Sequence, residues 1–186
     1  MPTPSKAYEI LEKYDSDAFH RTHGKIVGGV MGYFAGVHNE DMDYWKAVGT
    51  LHDVDFGLYP EQHCVACMKI FADEEIDNDF AVSCASHGYG ICDGAPQPTK
   101  YMEKILFACD ELTGLIGAAA RMRPSKSVSD MELSSLKKKF KDKKFAAGCS
   151  RDTIALGAEN LGMTTEELLQ QTLDAMKSLV GELEGV

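Results

Sequence analysis

The chain has 186 residues, 44% hydrophobic and 26% charged, which fits one globular domain with a sizeable core and excludes wholesale disorder. A formal net charge of −10 argues against a surface that grips nucleic acid over its whole area.

The periodicity reads helical nearly throughout. Lys6–Lys13 is a short amphipathic start, and Asp15, Ser16 or Asp17 offers the cap for a helix from Ala18 to His38. On that helix His23, Val27, Val30, Met31 and Phe34 share one face, while Gly28, Gly32 and Gly36 form a stripe that allows close helix–helix approach. Further helices are predicted over Asp41–Leu51, Pro60–Ala72 and Asp77–Ser86. A loop over Gly88–Pro98 follows, and then a long apolar helix, capped by Thr99, that reaches Ala120. Asp130–Lys141 and Ser150–Asn160 are shorter helices, and Thr164–Glu167 reads as a capping box before an apolar stretch from Leu168 to Val180. Alternating strands and internal repeats are absent. The fold class is all-α: one domain over 1–186, with 121–151 a basic helical or loop segment and 161–186 a C-terminal helix.

Met1–Ile10 is polar with two prolines and predicts no export signal. The longest apolar run, Ile26–Val37, is interrupted by four glycines and falls short of the ~20 residues a bilayer span takes. A cytoplasmic protein with no membrane partner is expected, its six cysteines reduced. Cys64 and Cys67 have thioredoxin spacing but no βαβ context, and Gly88-Tyr89-Gly90 lacks the strand and third glycine of a dinucleotide fingerprint.

Histidine placement carries the most information. His52 and Asp53 are adjacent at the end of an apolar helix, a nitrogen and a carboxylate that divalent metals accept together. His23 lies upstream on the core-facing stripe, His63 follows Tyr59-Pro60-Glu61-Gln62, and His87 ends an apolar helix. Asp110 sits inside the apolar run Ile105–Ala120, where an unpaired carboxylate is costly and metal coordination removes the cost. Asp55 stands two residues after the pair, a spacing for an outer ligand partner or a proton in transit. His20 and His38 carry no assignment.

This order of histidines and aspartates on an all-α background resembles the HD superfamily of metal-dependent phosphohydrolases, most closely its small bacterial members. The matching segments are Leu51-His52-Asp53-Val54-Asp55, the Pro60-to-His63 step, Asp110–Ile116 and the lysine-rich Ser135–Phe145. The resemblance implies an HD-type helical bundle with the metal site between its central helices. It also implies that His23, His52, Asp53 and Asp110 bind a first metal, and that Asp53 bridges to a second held by His63 and His87. Iron, manganese, zinc, cobalt or nickel suits such ligands better than magnesium. The expected reaction is hydrolysis of a small phosphorylated substrate, a phosphomonoester or nucleotide, by metal-activated water, with Asp53 and Asp55 as catalytic residues.

Residues 121–151 hold ten of the 19 Lys and Arg residues and only three of the 29 Asp and Glu residues. A basic segment on an acidic body predicts a local anion site. Lys138 or Lys139, with Arg151, is the expected phosphate anchor, and Arg121, Arg123 and Lys126 are the alternatives. Two rival functions remain open. One is a di-iron oxygenase of the same superfamily, which shares the six-ligand pattern. The other is a non-catalytic nucleotide- or nucleic-acid-binding module built on the basic segment.

Overall fold

The computed structural model describes residues 1–183. Nine α-helices and two 3₁₀ turns make up their regular structure, with an isolated bridge between Val180 and Leu183 and no strand among the described residues. The last three residues of the expected 161–186 segment lie outside the described residues. None of the described helices is long and apolar enough to cross a membrane.

Helix α1 (Pro4–Tyr14) begins on a proline in its first turn, where no backbone donor is needed, and Thr3 caps it. Of the three cap candidates for α2 (Ala18–His38), Asp17 takes the position and accepts from the Phe19 and His20 amides. Val27, Val30, Met31 and Phe34 are buried, as their spacing predicts.

Helix α3 (Met42–Leu51) runs back along α2 at backbone contact. A Cβ on Gly28 would stand 2.3 Å from Thr50 Oγ1, and one on Gly49 would stand 2.9 Å from Gly28 Cα. The approach is specific to this end of the stripe, because Gly36 has Met42 Sδ no nearer than 3.6 Å. It brings His52, the C-cap of α3, alongside His23.

The helix expected over Pro60–Ala72 is broken. Pro60–Gln62 is a 3₁₀ turn, Cys64 takes a left-handed φ of 66°, and α4 spans only Cys67–Asp73. A continuous helix would aim the Cys67 amide at the His63 carbonyl. That amide donates instead to Asp55 Oδ2 at 2.8 Å. The break frees His63 from helical geometry.

Helix α5 (Asn78–Ala85) leads into a second 3₁₀ turn, Ser86–Gly88, which carries His87. The central helix α6 (Tyr101–Arg121) starts one residue later than the expected Thr99 cap predicts, because Glu103 folds back over its N-terminus. Its Oε2 accepts from the Thr99 and Lys100 amides at 2.8 and 2.9 Å. Helices α7 (Leu133–Lys141), α8 (Arg151–Asn160) and α9 (Thr165–Ser178) complete the bundle, the last with the expected Thr164–Glu167 capping box.

Candidate metal centre

Five elements deliver six side chains to one point: His23 from α2, His52 and Asp53 from the end of α3, His63 after the first 3₁₀ turn, His87 on the second, and Asp110 from mid-α6. They form two groups that share Asp53. In one, His23 Nε2 lies 2.9 Å from Asp110 Oδ1 and 3.8 Å from Asp53 Oδ2, and His52 Nε2 lies 3.1 Å from Asp53 Oδ2 and 3.2 Å from Asp110 Oδ1. In the other, Asp53 Oδ1 stands 3.3 Å from His63 Nε2 and 3.2 Å from His87 Nε2. Donors about 2.1 Å from one ion stand about 3.0 Å apart at right angles and about 3.4 Å apart at tetrahedral angles. All but one of these separations match that edge length.

The imidazole tautomers point the same way. His52 Nδ1 donates to the Gly49 carbonyl at 2.8 Å, His87 Nδ1 to the Cys84 carbonyl at 2.7 Å, and His63 Nδ1 to Asp55 Oδ1 at 2.7 Å. Each bond fixes the ring and leaves an Nε2 lone pair aimed at the cluster, the arrangement of metal-ligating histidines. His52 tests the fit best. It is fully buried, and its Nε2 has no hydrogen-bond partner even with two carboxylate oxygens close by. Those oxygens lie beside its lone pair rather than along it. A buried nitrogen left unpaired is costly, and a cation between it and the carboxylates removes the cost. The residues present can hold a metal ion, with Asp53 facing one group with each oxygen.

The electrostatics report the same demand for positive charge. Burial would raise the Asp53 and Asp110 carboxyls, but the surrounding imidazoles outweigh it and hold both well below the usual carboxylate range. Burial would likewise lower His52, yet Asp53 and Asp110 push it up to about 9.

The group opens onto a cavity of about 510 Å³ lined by Phe19, His20, Phe56, Ile91, Cys92, Glu111 and Cys149 besides all of the six side chains but His52. Burial and the neighbouring Asp110 charge raise the Glu111 carboxyl, and its Oε2 accepts from the Ser150 amide. His20, unassigned from sequence, belongs to this wall. Its Nδ1 lies 2.9 Å from Asp15 Oδ2, its ring stands edge-on to Phe56, and Nε2 has no hydrogen-bond partner among the described residues. The signal that could have found it was Asp15, a carboxylate five residues upstream, before the α2 cap, that turns out 1% exposed.

Two expectations are corrected. Asp55 is fully buried with both oxygens engaged, one by His63 Nδ1 and one by the Cys67 amide. It takes the expected place of an outer partner, orienting His63, but it does not line the cavity, so the catalytic role expected of it is withdrawn. The expected anchor of Lys138, Lys139 and Arg151 fails on geometry, since none of the three lines the cavity. Arg151 spends its guanidinium on the carbonyls of Lys139, Phe140, Asp142, Phe145, Ala146 and Cys149, so it organises a loop. Lys139 lies over the Phe145 ring, and Lys138 lines a separate surface pocket with Lys137 and Glu166. Of the alternatives, Arg123 is paired with Asp130 and Lys126 donates to the Arg121 carbonyl. Arg121 does not line the cavity either, but its guanidinium lies 5.4 Å from the ring of Phe19, which does.

Comparison of the chain with protein-family models, curated proteins and solved structures finds no match in any of the three.

Proposed function

We propose that the chain is a metal-dependent phosphohydrolase of the HD type, acting on a small phosphomonoester or nucleotide. The observation that carries this reading is Asp53, whose two oxygens each face a separate group of imidazoles with their lone pairs turned inward. The imidazole-rich set favours iron, manganese, zinc, cobalt or nickel over magnesium. When bound, such ions supply Lewis acidity toward a phosphoryl oxygen and make water a nucleophile at neutral pH.

The chain's own residues do the rest. Asp55 and the Gly49 and Cys84 carbonyls hold three rings in place, so little reorganisation is needed during turnover. His20, steadied through Nδ1 by Asp15, gives a proton from Nε2 to the departing oxygen. Arg121, packed against Phe19 although not itself part of the cavity lining, is the cation assigned to reach phosphoryl oxygens. Phe19, Phe56 and Ile91 exclude water around the organic part of the substrate.

The test is phosphate release from a panel of phosphomonoesters and nucleotides, with chelator-stripped protein reloaded with each metal in turn. Release that needs metal and disappears in Asp53→Ala supports the reading. Absence of release with every metal, combined with substrate-dependent dioxygen uptake by the iron-loaded protein, would replace it with the oxygenase.

A further inference from the structure

Two thiols meet at the edge of this centre without belonging to it. Cys64 Sγ and Cys92 Sγ lie 3.5 Å apart, and Cys64 Sγ lies 3.7 Å from His87 Nε2. One nitrogen of His63 joins the two sulfurs, all three donors within 4.8 Å of one another. Asp55 occupies His63 Nδ1, which leaves Nε2 as the available donor. We propose that Cys64, Cys92 and His63 form a distinct site for a thiophilic cation of the zinc, cadmium or copper(I) class.

Three features build the site. Cys64 holds a φ of 66°, a conformation uncommon for a residue with a side chain, and is buried beside His87. Gly88 makes the room: a Cβ there would stand 2.3 Å from Cys64 Sγ and 3.0 Å from Cys92 Sγ. Cys92 supplies the approach. It is half-buried and lines both the main cavity and a second pocket bounded by Pro60, Glu61, Gln62 and Asp93. Two thiolates at a zinc–sulfur distance of about 2.3 Å stand about 3.8 Å apart at a tetrahedral ion. The observed 3.5 Å needs only a small opening.

The donor chemistry separates this site from the other. Two sulfurs and one nitrogen select soft ions, whereas the Asp53 cluster offers only nitrogen and oxygen. Each thiol releases its proton as the ion binds. A consequence follows that rests on the phosphohydrolase reading. His63 Nε2 cannot serve two ions at once, so an ion on the thiols withdraws His63 from the half of the centre it shares with Asp53 and His87.

The experiment titrates Cd²⁺ into the chelator-stripped full chain, with a phosphine reductant present, and follows ultraviolet thiolate-to-cadmium charge transfer. The expected band saturates, is lost in Cys64→Ser and Cys92→Ser, and persists in Cys67→Ser and Asp53→Ala. Cys92→Ser is decisive because the position is half-buried, and its helical circular dichroism is checked against the parent. A band undiminished in a folded Cys92→Ser overturns the proposal, as does a band lost in Asp53→Ala. A parent chain that gives no band, and in air loses two thiols to a disulfide, overturns it too. Failure of phosphate release alongside an intact cadmium band removes the competition for His63 but leaves the site standing.

Discussion

The Nε2 atoms of His63 and His87 face each other at 3.1 Å, with the other nitrogen of each ring already engaged as a donor. Two lone pairs at that distance repel, and a shared cation or proton turns the repulsion into attraction. Asp53 Oδ1, within 3.3 Å of both nitrogens, supplies the negative charge that keeps the cation there.

Asp55 is the support of this half of the centre, so Asp55→Asn presents an amide N–H₂ either to the His63 Nδ1–H or to the Cys67 amide. One donor then faces another. Metal affinity of the His63/His87 half should fall about 10- to 100-fold, as for loss of other outer partners of ligating histidines. Bound metal should drop toward one ion per chain, with the His23/His52/Asp110 ion retained, by equilibrium dialysis and metal analysis.

His20→Gln keeps a polar side chain at the cavity wall but cannot deliver a proton. Turnover of alkyl phosphates, whose leaving groups need protonation, should fall about 10²- to 10⁴-fold. Aryl phosphates with acidic phenols should be hydrolysed almost normally. Equal losses across the leaving-group series would assign His20 a structural role instead.

The basic residues divide by what they touch. Arg151→Ala leaves six carbonyls without their donor and should cost at least about 3 kcal/mol of unfolding free energy by urea titration, with metal content unchanged. Lys138→Gln and Lys139→Gln should leave kcat/KM within about twofold, because neither side chain lines the cavity and charges near the surface are screened. Arg121→Ala should lower kcat/KM by about 10- to 100-fold, as for loss of one charge-assisted contact.

Glu103 gives the fold an acid-sensitive point far from the metal ligands. Burial would raise its carboxyl, but the Lys100 and Thr99 amides and the Ser83 hydroxyl outweigh it and lower it below the ordinary value. Because the folded carboxyl titrates below the unfolded one, near 4.3, its stabilisation is complete above about pH 5 and is lost as pH falls through the folded value. Glu103→Gln should cost about 1–3 kcal/mol at neutral pH. The gap between parent and variant melting temperatures should close as the buffer is taken below about pH 4.

Much of this was legible along the chain because it depends on neighbours in sequence. The 3.6-residue periodicity located α2 and α6, and Thr164 with Glu167 marked the start of α9. The adjacency of His52 and Asp53, with a lone Asp110 in an apolar helix, pointed to the residues that do converge. What stayed illegible depends on contacts that no periodicity or motif marks. The break before α4 exists because Asp55 captures an amide 12 residues away. His20 became part of the site only through Asp15 and Phe56. Arg151 looked like an anion anchor because nothing local announces that six carbonyls will close around it.

Crystals of the chain loaded with manganese or zinc, measured at the absorption edge of the metal, would locate the ions themselves. Two anomalous peaks are expected on either side of Asp53, one touching His23, His52 and Asp110 and the other touching His63 and His87. Loaded crystals with no peak on either oxygen of Asp53 would contradict it.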